Sequence, residues 1–166
     1  MALTPFEVAE TMLECVFLGV DPTIKRRCVV PGEIVWDACE CGQLAITENR
    51  RYVSRAFPLE EVDSVAECGN PWLIVDYTVS LVRCVPVGVN GNPPTCDQLR
   101  TSALQLMKDK TDVRAALDCC LFSLYGDSDT GVVAYQVGAQ ETVGPQGACA
   151  GSETQVLVGF LNPCGC

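Results

Sequence analysis

The sequence predicts an α+β domain: an antiparallel four-stranded sheet with two helices packed on one face. Three observations lead there. Two capping boxes each open a run of apolar residues at three- and four-residue spacing. One stretch alternates between apolar and polar side chains, as a strand does. The elements follow in the order helix, strand, strand, helix, strand, strand, so each half pairs its own strands. The 166 residues are enough for one full core, and residues 1–166 read as a single domain without repeat or linker.

The first helix opens at Thr4, an N-cap. Pro5 takes the first helical position, and Glu7 completes a T-x-x-E box. Phe6, Ala9, Leu13, Val16 and Val20 then form an apolar face, and Gly19 or Asp21-Pro22 ends the run. Residues 21–42 read as irregular. Residues 43–47 (QLAIT) form a short strand. Residues 48–58 carry Arg50, Arg51 and Arg55, and Glu60, Glu61, Asp63 and Glu67 make an acidic surface excursion. Residues 72–85 are the clearest strand. Leu73, Val75, Tyr77, Val79 and Leu81 share one face; Asp76, Thr78, Ser80 and Arg83 fall mostly on the other or near the strand's end, the pattern of a sheet with one solvated face. Pro86 stops it, and Asn90-Gly91 and Pro93-Pro94 make the connection.

Thr95 with Gln98 forms the second capping box. The long helix behind it has the stripe Leu99, Ala103, Leu106, Val113, Leu117, Cys120, Leu121 and Leu124, with Lys108, Asp109, Asp112 and Asp118 pointing elsewhere. Gly126 ends it. Residues 132–139 and 155–161 are the last strands, joined by the Gly/Pro-rich loop VGPQGACAGS, and Gly159 marks a bulge or close packing.

Twelve cysteines and no histidine narrow the function. No Ser-His-Asp or Cys-His pair can form, and no imidazole can relay protons or bind a metal, so no enzyme is expected. The start, MALTPFEVAETMLECVFLGV, lacks the basic region and cleavage site of a signal peptide. No stretch reaches the roughly 18 apolar residues of a membrane span. The chain is therefore expected to fold in a cytosol, where thiols stay reduced. Its cysteines then have three readings: oxidation after release from a lysed cell, structural metal, or plain core packing. The formal net charge of −10 argues against nucleic acid as a direct partner and against anionic membranes.

There is no C-x-x-C. What exists is Cys39-x-Cys41, Cys119-Cys120 and Cys164-x-Cys166. A zinc site built from two C-x-C pairs is one reading, on a weak spacing signal. Cys15 and Cys120 read as core thiols, while Cys119 points off its stripe and needs a second surface or a cross-link. In an antiparallel pair the start of one strand meets the end of the next. That places Cys84 beside Cys39 and Cys41 and predicts a disulfide to one of them if the protein matures in air. Cys149, Cys164 and Cys166 are the next candidates, including between subunits. No phosphate-cradling glycine motif is present, Asp127-Ser-Asp129 reads as a turn, and no cofactor is expected.

Several segments together resemble a known family. They are CGQLAI followed by an Arg- and Pro-bearing turn to Phe57-Pro58, then LVRCVPV, NPPTC, DCCL and VGPQGACAGSETQVLVG. From about Phe6 to its end the chain resembles the tail terminator (tail completion) proteins of long-tailed bacteriophages of actinobacteria. The resemblance implies an α+β fold and a hexameric ring on the completed tail tube, which stops tube growth and presents the tail to the head connector. The implied partners are further copies of the chain, the tail tube protein, the head–tail connector or head-completion protein and the tape-measure protein. DNA would pass through the ring without sequence-specific binding. The implied place is the head–tail junction of the virion, after assembly in the host cytoplasm, and release by lysis would account for the cysteines. In such a ring, loops 48–56 (Arg50, Arg51, Arg55) and 144–151 (Gln146) are expected, from composition and exposure, to reach neighbours, tube or DNA channel. A head-completion or other neck protein is the alternative within the class. A disulfide- or zinc-stabilised binding module is the alternative outside it.

Overall fold

The computed structural model describes residues 2–20, 23–32, 34, 42–60 and 71–161. Seven elements follow in the order α1 (Pro5–Gly19), β1 (Arg26–Val30), β2 (Gln43–Ser54), β3 (Trp72–Cys84), α2 (Cys96–Gly126), β4 (Val132–Gln146) and β5 (Cys149–Phe160). Both expected capping boxes are formed. The Thr4 hydroxyl accepts from the Glu7 N–H at 3.2 Å, and the Glu7 carboxylate accepts from the Thr4 N–H at 2.7 Å. At α2 the Gln98 N–H reaches Thr95 Oγ1 at 3.3 Å, and Gln98 Oε1 accepts from the Thr95 N–H at 2.9 Å.

The fold is α+β with two helices, but the sheet has five strands and is mixed, in the order β1-β2-β3-β5-β4. β1 runs parallel to β2, and every other pairing is antiparallel. The four-stranded antiparallel expectation therefore needs correction. β1 escapes the pattern because RRCVV is short and its first two residues are exposed and charged. Residues 31–42 between β1 and β2 supply the dozen or so residues that a parallel return requires. The expected pairs β2–β3 and β4–β5 are both present, and β3–β5 joins the halves.

Both helices cover one face. Val8, Met12, Leu13 and Val16 of α1 and Val113, Leu117 and Leu121 of α2 form one cluster with Leu44, Ile46, Val75, Tyr77, Val79, Val156 and Val158. Tyr77 is buried there and donates its hydroxyl to the Pro5 carbonyl at 2.9 Å. Burial pushes its phenol well above the usual range. Phe6 is exposed, not part of this face as expected, and Val8 and Met12 are buried in the apolar stripe.

The opposite face of β3 is not solvated, contrary to the alternation. Ile74, Asp76, Ser80 and Val82 are all buried. Val82 belongs to a second small cluster with Ile34, Ala45 and Cys149. A period of two separates faces; it does not say which face meets water when both are covered.

Three strands are longer than expected. β2 continues through the arginines to Ser54 because the register shifts between Glu48 and Arg50, and this bulge breaks the alternation. The segment read as the loop VGPQGACAGS belongs almost wholly to β4 and β5, which turn through Gly147 and Ala148 alone. Glycine makes this possible at Gly151, where a Cβ would collide with the Leu81 carbonyl oxygen. Gly159 is closely packed, as expected: an added Cβ would meet Ala134 Cβ at 3.2 Å.

Candidate functional site

The surface that distinguishes this molecule is built on α2, and it starts from how α2 is anchored. Arg83, near the end of β3, donates through Nε and one terminal nitrogen to the two oxygens of Asp109 at 2.8 and 2.9 Å. Its other terminal nitrogen donates to Thr23 Oγ1 at 2.6 Å, and Gln105 Nε2 donates to Asp109 Oδ1 at 2.9 Å. Asp109 is 0 % exposed and Arg83 is 8 % exposed. Asp109, expected to point away from the core, is drawn in because Arg83 offers a two-pronged partner from the sheet. Val113, Leu117 and Leu121 follow into the core.

Cys15 and Cys120 are not reduced core thiols as expected. They form a disulfide between α1 and α2, with Cα atoms 6.1 Å apart. The close approach depends on small residues one turn away: a Cβ on Gly19 would lie 2.9 Å from Ala116 Cβ. Cys119 is exposed and unbridged beside that disulfide. It lines a groove of about 560 Å³ between the helices, together with Leu18, Gly19, Ala115 and Ala116.

Upstream of Asp109, α2 carries on beyond the core. Residues 96–108 span about 20 Å, and α2 has no buried residue before Asp109. Leu99 is exposed, and Leu104 and Met107 are 68 % and 67 % exposed. Leu99 and Ala103 prolong the core-facing stripe past the edge of the core. Leu18 on α1 and Phe122 on α2 are exposed as well. Sequence reading finds the stripe but not its partial use, because periodicity marks a face without saying how far the opposing sheet extends.

The arginines of the basic stretch lie in a strand and the turn behind it, not in a loop. Arg50 donates to Glu60 at 2.6 Å and lies 3.5 Å from Asp76, with its guanidinium over the Tyr52 ring at 5.0 Å. The Glu60 charge, then its hydrogen bond, holds the Arg50 proton more tightly than usual. Arg51 points to the helix side and is held by Glu48. Arg55 is exposed just beyond β2. Asp76, only 4 % exposed, also accepts from Asn49 and Gln155, each at 3.1 Å. Asn49 sits at the bulge of β2, which frees its side chain for this bond. Gln146 is exposed where β4 meets Cys149, at one end of the sheet; Arg55 follows Ser54 at the other. The structure does not bring these candidates together.

The expected neighbourhood of β2 and β3 holds, since Gln43 pairs with Val82. Cys84 stands exposed at the end of β3, level with Cys149 on β5. Cys149 is buried and disulfide-bonded; Cys84 is its register neighbour, not its bonded partner. Cys39, Cys41, Cys164 and Cys166, and with them the predicted bridge to Cys84, lie outside the described residues. So does most of the acidic excursion. Among the described residues no three metal-ligating side chains converge, and no helix is long and apolar enough to cross a membrane. No protein-family model matches the chain, and no curated protein is found to be similar to it.

Proposed function

We propose that this chain is a structural assembly subunit, a phage tail terminator. Copies form a ring, a hexamer by analogy with the family it resembles, which caps the tail tube, stops its polymerisation and joins the tail to the head connector. The observation that carries this reading is the first half of α2, where no side chain is fully buried and only Ser102, Gln105 and Leu106 are even half-buried. A helix that continues about 20 Å beyond its last anchor and exposes Leu99, Leu104 and Met107 serves no purpose in the monomer's own core. An exposed apolar patch of this kind suits a surface covered by another protein.

The sheet edges support closed assembly over open-ended stacking. β1 is five residues long and begins with two arginines. β4 has three register shifts and carries Pro145, and Arg114 takes up the Gly138 carbonyl at 3.1 Å. Such edges resist uncontrolled strand addition. A subunit of this build associates through side chains on defined patches, which is what a ring of limited copy number needs. The reading assigns the chain no catalysis. Contacts with tube, connector and tape-measure proteins, and passage of DNA through the ring, rest on the resemblance.

The test is electron microscopy of lysates from a phage whose copy of this gene is disabled. Overlong, unattached tubes are the expected result. Tails of normal length beside separate filled or leaking heads would move the protein to the head side of the neck. Normal particles would overturn both.

A further inference from the structure

We infer that the two outer edges of the sheet are the two halves of one docking contact between neighbouring copies of this chain. The inference rests on the ring reading above and names a surface that closes the ring.

The acidic half lies on β4. Glu141 stands directly opposite Glu153 of β5. Like charges at directly opposed strand positions repel, so this pair favours a cation beside it. Both side chains line a shallow depression with Thr78, Ala139 and Gln155 on the face opposite α1 and α2, which carries no helix among the described residues. The flanking residues agree with that face. Gln140 and Thr142 turn the other way, toward α2: Gln140 donates to the Lys110 carbonyl at 2.9 Å, and Lys110 donates to Thr142 Oγ1 at 2.6 Å. Among the described residues neither glutamate has a cationic partner. The polar contact of Glu153 is Ser80 Oγ, at 3.5 Å.

The basic half lies at β1. Arg27 is already used: it donates to Glu14 at 2.6 Å and lies over the Phe17 ring at 4.0 Å, both on α1. Its neighbour Arg26 therefore emerges on the helix-free side. Arg26 and Lys25 are exposed and have no carboxylate partner among the described residues.

Register puts the two halves at the same height. One row across the sheet reads Cys28, Ala45, Ser80, Glu153, Glu141; the adjacent row on the same face reads Arg26, Gln43, Val82, Gly151, Val143. Arg26 and Glu141 thus leave the same face, one row apart, from opposite edges. A second copy set beside the first by simple rotation brings Arg26 of one against Glu141 of the next, with Glu153 one strand further in. The contact is heterologous and uses different edges of each subunit, so it can repeat from copy to copy and makes a ring when the rotation between copies closes. The bulges of β4 and the shortness of β1 prevent one long shared ladder; side chains carry the contact.

The experiment is sedimentation velocity on the full chain and on Arg26→Glu, Glu141→Lys and the double variant, with circular dichroism confirming that each folds. Wild type should form a closed oligomer that weakens as salt rises from about 0.1 M to about 1 M. Each single reversal should weaken self-association by at least about tenfold. Mixing the two single variants in equal amounts should restore it, as should the double variant, because a carboxylate introduced on β1 of one copy then faces an ammonium introduced on β4 of the next. Single variants that sediment like wild type would overturn this contact and leave the ring reading standing. Loss in both singles without recovery in the mixture would overturn it too, since the charges would then act without meeting. A wild-type chain that stays monomeric at every concentration would overturn the ring reading and the inference with it.

Discussion

The two halves of α2 carry the same apolar spacing and meet different fates. From Asp109 to Leu121 the helix is gripped three ways: by the Arg83 pair, by Val113, Leu117 and Leu121 in the core, and by the Cys15–Cys120 bridge. From Cys96 to Lys108 it is capped but has no fully buried residue; Leu106 is half-buried, while Leu99, Leu104 and Met107 meet solvent. The difference teaches that helix length here exceeds what the fold requires. An isolated helix of about 13 residues is marginal on its own, so the free half depends on its continuity with the anchored half.

The contrast breaks most sharply at Asp109. Asp109→Ala leaves the Arg83 guanidinium buried without its counter-charge and should cost about 3–5 kcal/mol. The urea midpoint should fall accordingly. Replacing both partners with apolar residues of similar size should recover much of the loss, because the penalty lies in the orphaned charge and not in the missing attraction. If Asp109→Ala unfolds at the wild-type midpoint, the clamp is not what anchors α2.

The bridge ranks next. Cys15 and Cys120 are 105 residues apart in sequence, so linking them restrains a large loop of the unfolded chain. Cys15→Ala with Cys120→Ala should lower stability by about 2–4 kcal/mol. Comparing that variant with wild type, each with and without reductant, isolates this bridge from the disulfide of Cys149. The free half should behave in the opposite sense. Leu104→Ser with Met107→Ser should change stability by no more than about 0.5 kcal/mol, as surface substitutions do, yet under the function proposed above should abolish tail capping in a complementation assay. Equal loss of stability would mean that these side chains serve the monomer.

Much of this frame is legible in the residues. Thr4 with Glu7 and Thr95 with Gln98 announce both helix starts, because a capping box is a local bond that the sequence alone can complete. The core face of β3 is legible from Leu73 to Leu81 because alternation is also local. What escapes depends on distant partners. β1 is a strand because Gln43–Thr47 lies alongside it, not because RRCVV is a good strand. Asp109 is buried because Arg83 comes from another element. Asn49 bulges β2, hiding a strand of 12 residues behind a stretch that reads as a charged turn. The Arg50, Arg51, Arg55 and Gln146 candidates rest on composition. Composition does not foresee that Glu60, Asp76 and Glu48 neutralise two of the arginines, or that Gln146 sits at the far end of the sheet.

The smallest expected effect concerns the starts of the two helices. The box of α1 contains a group that titrates and the box of α2 does not: Glu7 stands where α2 has Gln98. The Thr4 N–H, and then the Thr4 hydroxyl, hold the Glu7 carboxyl below its ordinary value. A carboxyl depressed in the folded state contributes stability that is fully present above its unfolded value and is lost as pH falls through its folded value. Acidification below about 4.3 should therefore loosen the first turn of α1 while leaving the Thr95–Gln98 bonds intact. Backbone chemical shifts followed from about pH 5 to about pH 3 across that value should move at Thr4–Val8, whereas the Gln98 side-chain amide should keep its shift because no carboxyl takes part in that box. Glu7→Gln should remove the difference by making the first box as insensitive to acid as the second. If the first turn of α1 still shifts with pH in that variant, some other carboxyl controls it. The free half of α2 would remain in either case the helix start that acid does not reach through its cap, because Gln98 offers an amide where α1 offers a carboxylate.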